Sequence, residues 1–306
     1  MKYLPFLDGK YSVAPGLNAM AKTDVSERML FQLEPSYTEF IDNKWRCRKE
    51  NIHKYFVTER LDPATEAVVN RLMVRRLVGE HPQEFGLPGE FGLTNQLTRE
   101  RLDWAPDWLT VMNDEYISLF DALCSQVPED VAICQLQGDQ DWLAAIHLCA
   151  PNHWDPAEKV GRPFSHVHGV VPGMEKLNEG YFRMLITAVE KGPFIRWAWG
   201  LSTDTRLNHH PVAPSVVDAD EWRGRRIAAD AGPVYVRTER QTITGVPECR
   251  AFVFTIRTYF YDIDELDVFE KTALMAAVDS MSPASLEYKG LTGAVEVLRQ
   301  RLIVRK

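Results

Sequence analysis

The first sixty residues carry no steady hydrophobic period. Phe6, Tyr11, Phe31, Trp45 and Tyr55 are scattered among polar positions, a pattern that predicts an irregular arm wrapped on the rest of the chain. At "LDPATEAVVNRLMVRRL" a helical period begins. Val69, Leu72, Met73 and Leu77 share a face, Asp62 can cap, and Pro63 suits the first helical position. The turn-rich "GEHPQEFGLPGEFGL" follows, and a second helix is expected from about Pro106, striped by Met112, Tyr116, Leu119, Phe120 and Leu123. Residues 1–129 therefore read as an arm followed by a helical segment.

Near residue 130 the period shortens to that of strands. "VAICQLQGDQDWLAAIHLC" predicts two strands about a turn at Gln137 to Asp141. "WDPAEKVGR" predicts a short helix, with Asp155 as cap, Pro156 first and Glu158 third. A longer helix carrying Leu177, Tyr181, Met184, Leu185 and Ala188 stops at Gly192-Pro193. Three strands are then expected at "FIRWAWGLS", "PVYVRTERQTI" and "CRAFVFTIRTYF", the last two forming a hairpin about Gly245 to Glu248. From 264 the chain returns to helix, with Asp264 as cap and Leu291, Val295, Leu298 and Leu302 as a later stripe.

Two strands, helices, then three strands is the order of a PAS-like domain. The expected fold is thus α+β: a five-stranded antiparallel sheet over residues 130–262, helices leaning on one face above a pocket, and helical segments at 1–129 and 263–306.

Composition narrows the function. The formal charge is −8, and no Lys/Arg run is interleaved with aromatics, which argues against a nucleic-acid partner. Five cysteines with no C-x-x-C pair fit reduced thiols in a cytoplasm, and they leave no cysteine set for a zinc ribbon or an iron–sulfur cluster. No apolar run reaches the ~20 residues of a membrane span. "GLPGEFG" has the wrong spacing for a dinucleotide loop, and a phosphate loop with Gly-Lys-Ser/Thr is missing. Cys149 shares a strand face with His147, but the sequence offers no third partner, so a buried structural thiol is the expected role.

Histidine is the richer signal. His147, His153, His166 and His168 fall close together in "HLCAPNHWDPAEKVGRPFSHVH". An extended H-x-H would aim two rings at one metal, although such a site needs a third ligand in fixed geometry. Haem needs less: one neutral imidazole, an apolar cavity and cations for the propionates. Phe194, Trp197, Trp199, Phe252, Phe254 and Ile256 could line that cavity. In "PVYVRTERQTI" alternation places Tyr235, Arg237, Glu239 and Gln241 on one face and Val236, Thr238 and Arg240 on the other. Such a charged strand either faces water or holds Arg237 and Glu239 beside a ligand, with Arg196 similarly placed in the preceding strand.

"DPAEKVGRPFSHVHGVVPG", "IRWAWGLSTD", "YVRTERQTI…CRAFVFTIRTY" and "LEYKGL", in that order, resemble the alpha subunit of haem-dependent oxidative N-demethylases. The likeness spans roughly residues 130–290. It implies a PAS-like domain holding haem b. It implies O₂-dependent oxidation of a dimethylamine-like secondary or tertiary methylamine to formaldehyde and the shorter amine. Electrons would come from separate flavin and iron–sulfur reductase subunits, which accords with the missing nucleotide loops and cluster cysteines. His168 matches the family's histidine before Val-Pro, Val170 stands where a proline is expected, and R-x-E-R-Q-T matches at Arg237, Glu239, Arg240, Gln241 and Thr242.

The resemblance sets the expected roles. His168 is the iron ligand, and His166 bonds a propionate or backbone. Lys159 and Arg162 neutralise propionates, and Trp197 and Arg240 complete the cofactor-binding set. Glu239 binds the ammonium and takes its proton, while Arg196 or Arg237 donates to iron-bound oxygen. Two other readings stand beside this one: a haem-based gas or redox sensor, and a haem-free metalloenzyme on His166, His168, His147 or His153.

Overall fold

The alternating strands after residue 130 do form a sheet, and the arm before it supplies more structure than its sequence pattern suggests. A computed structural model of the chain describes residues 2–14, 16–173, 180–223, 227 and 232–302. Its strands are β1 (Asn18–Ala19), β2 (Phe56–Thr58), β3 (Phe85–Gly86), β4 (Gly92–Asn95), β5 (Glu100–Asp103), β6 (Asp130–Gln137), β7 (Gln140–His147), β8 (Phe194–Ser202), β9 (Tyr235–Val246) and β10 (Ala251–Asp262). Its helices are α1 (Tyr37–Tyr55), α2 (Pro63–Glu80), α3 (Leu119–Cys124), α4 (Pro156–Lys159), α5 (Phe164–Val167), α6 (Tyr181–Lys191), α7 (Ala219–Arg223), α8 (Val268–Asp279), α9 (Pro283–Tyr288) and α10 (Val295–Leu302).

The main sheet is antiparallel and seven-stranded, in the order β1-β8-β9-β10-β6-β7-β2. The expected count of five is corrected to seven because β1 and β2, both from the arm, pair onto the two edges. The five longer strands keep the predicted boundaries closely. The helical reading of 1–129 is also corrected, since β3, β4 and β5 form a separate three-stranded sheet within it.

Local chemistry explains where the helices fall. Asp62 caps α2 by accepting from Thr65 N at 3.0 Å, and Val69, Met73 and Leu77 are fully buried. The helix expected from Pro106 shortens to α3. Asp107 accepts from the N–H groups of Leu109 and Thr110, holding that stretch in turns, and Met112 is exposed. The cap of α8 is Asp267 rather than Asp264, with a reciprocal capping box to Glu270. Leu177 lies outside the described residues.

The two sheet faces are built differently. Cross-strand register places Ile256, Gln241 and Arg196 in one row, Thr258, Glu239 and Ala198 in the next, and Phe260, Arg237 and Gly200 in a third. The opposite face carries Arg257, Arg240 and Trp197, then Tyr259, Thr238 and Trp199. One core packs α1, α2 and α3 against Val131, Ile133, Ala145 and Val253 on that second face. Another packs Leu4, Phe6 and the C-terminal helices against Trp199, Leu201 and Val236. Helix α6 covers the first face through Leu185, Ala188 and Val189, against Ile243 and Phe252.

Two residues hold these layers. A Cβ on Gly245 would stand 2.0 Å from Val189 O, so α6 reaches β9 only over a glycine. Gly245→Ala should destabilise the protein by about 3 kcal/mol, read as a lowered thermal midpoint. On the other face Arg240 is 0% exposed. It donates to Glu27 Oε2 at 3.2 Å and to the carbonyls of Glu27 and Met29 at 2.7 Å. Arg240→Met strands the buried Glu27 carboxylate, and the expected loss is ~3–5 kcal/mol, measured by urea unfolding.

Candidate functional site

The histidine loop is positioned by its neighbours in sequence and by the β6–β7 hairpin. Asp155 caps α4 through Ala157 N at 2.8 Å. Gly161 follows at φ +80°, where a Cβ would meet the Glu59 carboxylate at 2.5 Å. The chain then runs beside β7: Gly161 N donates to Leu143 O at 2.8 Å, and Leu143 N to Arg162 O at 3.0 Å. Asp141 does the rest. Its Oδ2 accepts from Phe164 N at 2.6 Å, opening α5, and its Oδ1 accepts from Tyr181 OH at 3.1 Å, tying down the start of α6.

His168 ends α5, so the His166–His168 segment is not extended and the two rings do not converge. The His168 ring stacks on Phe164 at 4.0 Å, and Phe164 stacks on Tyr181 at 5.7 Å. His168 Nδ1 lies 3.1 Å from Phe164 O. A carbonyl can only accept, so Nδ1 carries the proton and Nε2 keeps its lone pair. Burial pushes the imidazole down to about 4, and the charges of Lys159 and Arg196 act in the same direction. It is therefore neutral near pH 7, with a fixed tautomer and a nitrogen fit for a metal. His166, by contrast, is exposed.

The sheet face near this ring is both apolar and charged. Phe194, Phe254 and Ile256 are only half-buried although they lie in strands with neighbours on both sides. Arg196 is half-buried, and its Nε has no hydrogen-bond partner. Burial lowers its pKa, opposed by the Glu239 carboxylate. Glu239 takes Gln241 Nε2 at 3.0 Å on Oε2. Its Oε1 lies 3.5 Å from Asn152 Nδ2 and 3.9 Å from Arg237 Nε. Lys159 sits over the Trp154 ring at 4.2 Å, and burial lowers its pKa against the pull of Glu158 and Glu239. Arg162 is exposed at the mouth of the same loop.

The sequence-predicted set thus divides. His168, Lys159, Arg196, Arg237 and Glu239 come together, with Arg162 and His166 on the outer side of the loop. Trp197 and Arg240 do not join them. Strand alternation turns both to the opposite face, where Trp197 stacks on Tyr3 at 6.2 Å and Arg240 is consumed by Glu27. A cleft of about 660 Å³ lies near the end of β10 where β6 no longer pairs, between Tyr3, Gln32, Phe40, Leu207, Thr258 and Phe260. His168, Lys159 and Glu239 are not among its walls.

Histidines outside this loop have partners of their own. His147 lies between Asp121 at 3.2 Å and Cys149 Sγ at 3.8 Å, so Asp121 is the third partner that the sequence did not offer. All three side chains are buried, and burial holds the Cys149 thiol far up, as a core cysteine. His209 Nε2 donates to Asp204 Oδ1 at 2.9 Å, and His209 stacks on His153 at 5.0 Å. Among the described residues no three His, Cys, Asp or Glu side chains converge as a metal set. Sequence reasoning missed Asp141, Asn152, Asp204 and His209 as supports. Asp141 in a hairpin turn and the histidine pair at 209–210 were visible, but only the fold joins them to the site.

The groups beside His168 are of the kinds that a haem uses. They offer one neutral imidazole with its outer nitrogen tied to a carbonyl, half-covered aromatic and aliphatic walls, and basic groups with no acidic partner in hydrogen-bond contact at Arg196 and Lys159. The class so defined is a mixed α/β protein with a neutral imidazole beside a carboxylate–guanidinium sheet face. Residues 20–299 match a family described as haem-dependent oxidative N-demethylase, alpha subunit-like. The chain belongs to that family. The description carries haem dependence, an oxidative N-demethylase type of chemistry and an assembly with further subunits. No helix among the described residues is long and apolar enough to cross a membrane.

Proposed function

We propose that the chain is the catalytic subunit of an oxidative N-demethylase acting on a dimethylamine-like amine, with haem b held by His168 in a PAS-like half of the fold. The carrying observation is the His168 ring, neutral and locked with Nε2 unprotonated. Lys159 and Arg162 would neutralise the propionates. Bound haem would supply O₂-dependent oxidation of an N-methyl group, with electrons delivered by separate flavin and iron–sulfur reductase subunits.

The chain's own residues then have distinct tasks. Glu239 binds the alkylammonium, oriented by Gln241 and Asn152, and receives the N–H proton on a carboxylate oxygen as the amine becomes neutral. Arg237 flanks that carboxylate, its Nε 3.9 Å from Glu239 Oε1. Arg196, with Nε unpartnered, is the donor placed between Glu239 and His168. Phe194, Phe254 and Ile256 exclude water around the methyl group. Holoprotein supplied with dimethylamine, O₂ and a reductase should release formaldehyde. Failure to release it from any methylated amine would sink the assignment.

A further inference from the structure

We infer that His209 is a positioning residue for the amine site: it fixes the Arg237 guanidinium so that Nε stays turned to Glu239. The inference rests on the reading of Glu239 as the amine-binding carboxylate and extends it to a residue outside the site.

The geometry assigns each guanidinium nitrogen. Arg237 is 2% exposed. Its Nη2 donates to Ala150 O at 2.7 Å. Its Nη1 lies 2.9 Å from His209 Nδ1 and 3.4 Å from Leu207 O. Nε has no hydrogen-bond partner and stands 3.9 Å from Glu239 Oε1. A guanidinium is planar, so holding both terminal nitrogens sets the direction of the third.

His209 can hold Nη1 only as an acceptor, because a guanidinium has nothing but donors. The Asp204 carboxylate, 2.9 Å from His209 Nε2, takes that proton and so forces the lone pair onto Nδ1. His209 itself is 1% exposed. The backbone around it reaches the site a second way. His209 N donates to Pro151 O at 3.1 Å, His153 N donates to His209 O at 3.0 Å, and Asn152 bridges His209 in parallel. One short pairing therefore sets both Arg237 and Asn152, two of the groups around Glu239. Without His209 the guanidinium keeps Ala150 O and the longer contact to Leu207 O, and Nη1 can swing to tighten the 3.9 Å ion pair with Glu239, which an ammonium must then displace.

The test is the dissociation constant of dimethylammonium chloride for holoprotein, measured by calorimetry beside the thermal midpoint and formaldehyde kinetics. His209→Leu should weaken binding roughly tenfold or more, the loss of one buried charge-assisted hydrogen bond. KM should rise more than kcat falls. His209→Gln should recover binding to within about threefold, since its carbonyl accepts from Arg237 and its amide donates to Asp204. Wild-type affinity in His209→Leu overturns the inference and leaves the amine site standing. Equal weakening in both variants overturns it too, as a purely structural role. If wild-type holoprotein binds no methylated ammonium ion, the amine site falls and the inference with it.

Discussion

His168→Ala should purify without a Soret band, whereas His166→Ala should keep the wild-type spectrum. The difference follows from one hydrogen bond. His168 Nδ1–H is bound by Phe164 O at 3.1 Å, so Nε2 is available without any rearrangement. Burial keeps the ring neutral, with its pKa down to about 4, so no proton competes for that nitrogen near pH 7. His166 sits one residue before the end of α5 with its side chain in solvent, where the ring can be removed without opening a cavity. Added imidazole should restore part of the band to His168→Ala, because the stacked Phe164 wall remains to receive it. Loss of the band from His166→Ala instead would reverse the two roles.

Glu239→Gln should retain haem in full and lose most of its response to amine. The substitution keeps shape and removes one charge. A charge-assisted hydrogen bond contributes about 1.5–3 kcal/mol, so binding of dimethylammonium should weaken about 10- to 150-fold. Turnover should fall further, since an amide cannot take the ammonium proton. The checks are an optical titration with amine and the rate of formaldehyde release. An unchanged titration would remove Glu239 from the site.

Much of the sheet was legible because its signals are local. Strand "FIRWAWGLS" is β8 residue for residue, and the capped "WDPAEK" and the stop at Gly192-Pro193 mark α4 and α6 correctly. The arm was harder. Helix α1 spans Tyr37–Tyr55, yet its buried face includes Asn43 and Lys44 beside Tyr37, Phe40 and Ile41. Lys44 Nζ donates to the carbonyls of Cys124 and Glu129 at 2.6 Å, so a residue that reads as surface is core. Edge strands β1 and β2 are two and three residues long, and pairing with β8 and β7 decides them rather than propensity.

The candidate site divides along the same line. Alternation within "YVRTERQTI" correctly groups Arg237, Glu239 and Gln241 and turns Arg240 away, because the period of two is a property of the strand. Trp197 could have been set aside on the same ground, since its neighbour Arg196 takes the site face. Asp141, Asn152 and His209 could not be assigned. Each acts through a contact made only when the hairpin, the 150–153 segment and the 204–210 loop meet.

The most direct measurement is the absorption spectrum of the purified wild-type chain titrated with hemin. A Soret band that saturates at one haem per chain, and that His168→Ala fails to develop, is the predicted result. A wild-type titration that only adds the broad spectrum of free hemin, or a His168→Ala chain that saturates like wild type, would contradict His168 as the residue that holds the iron.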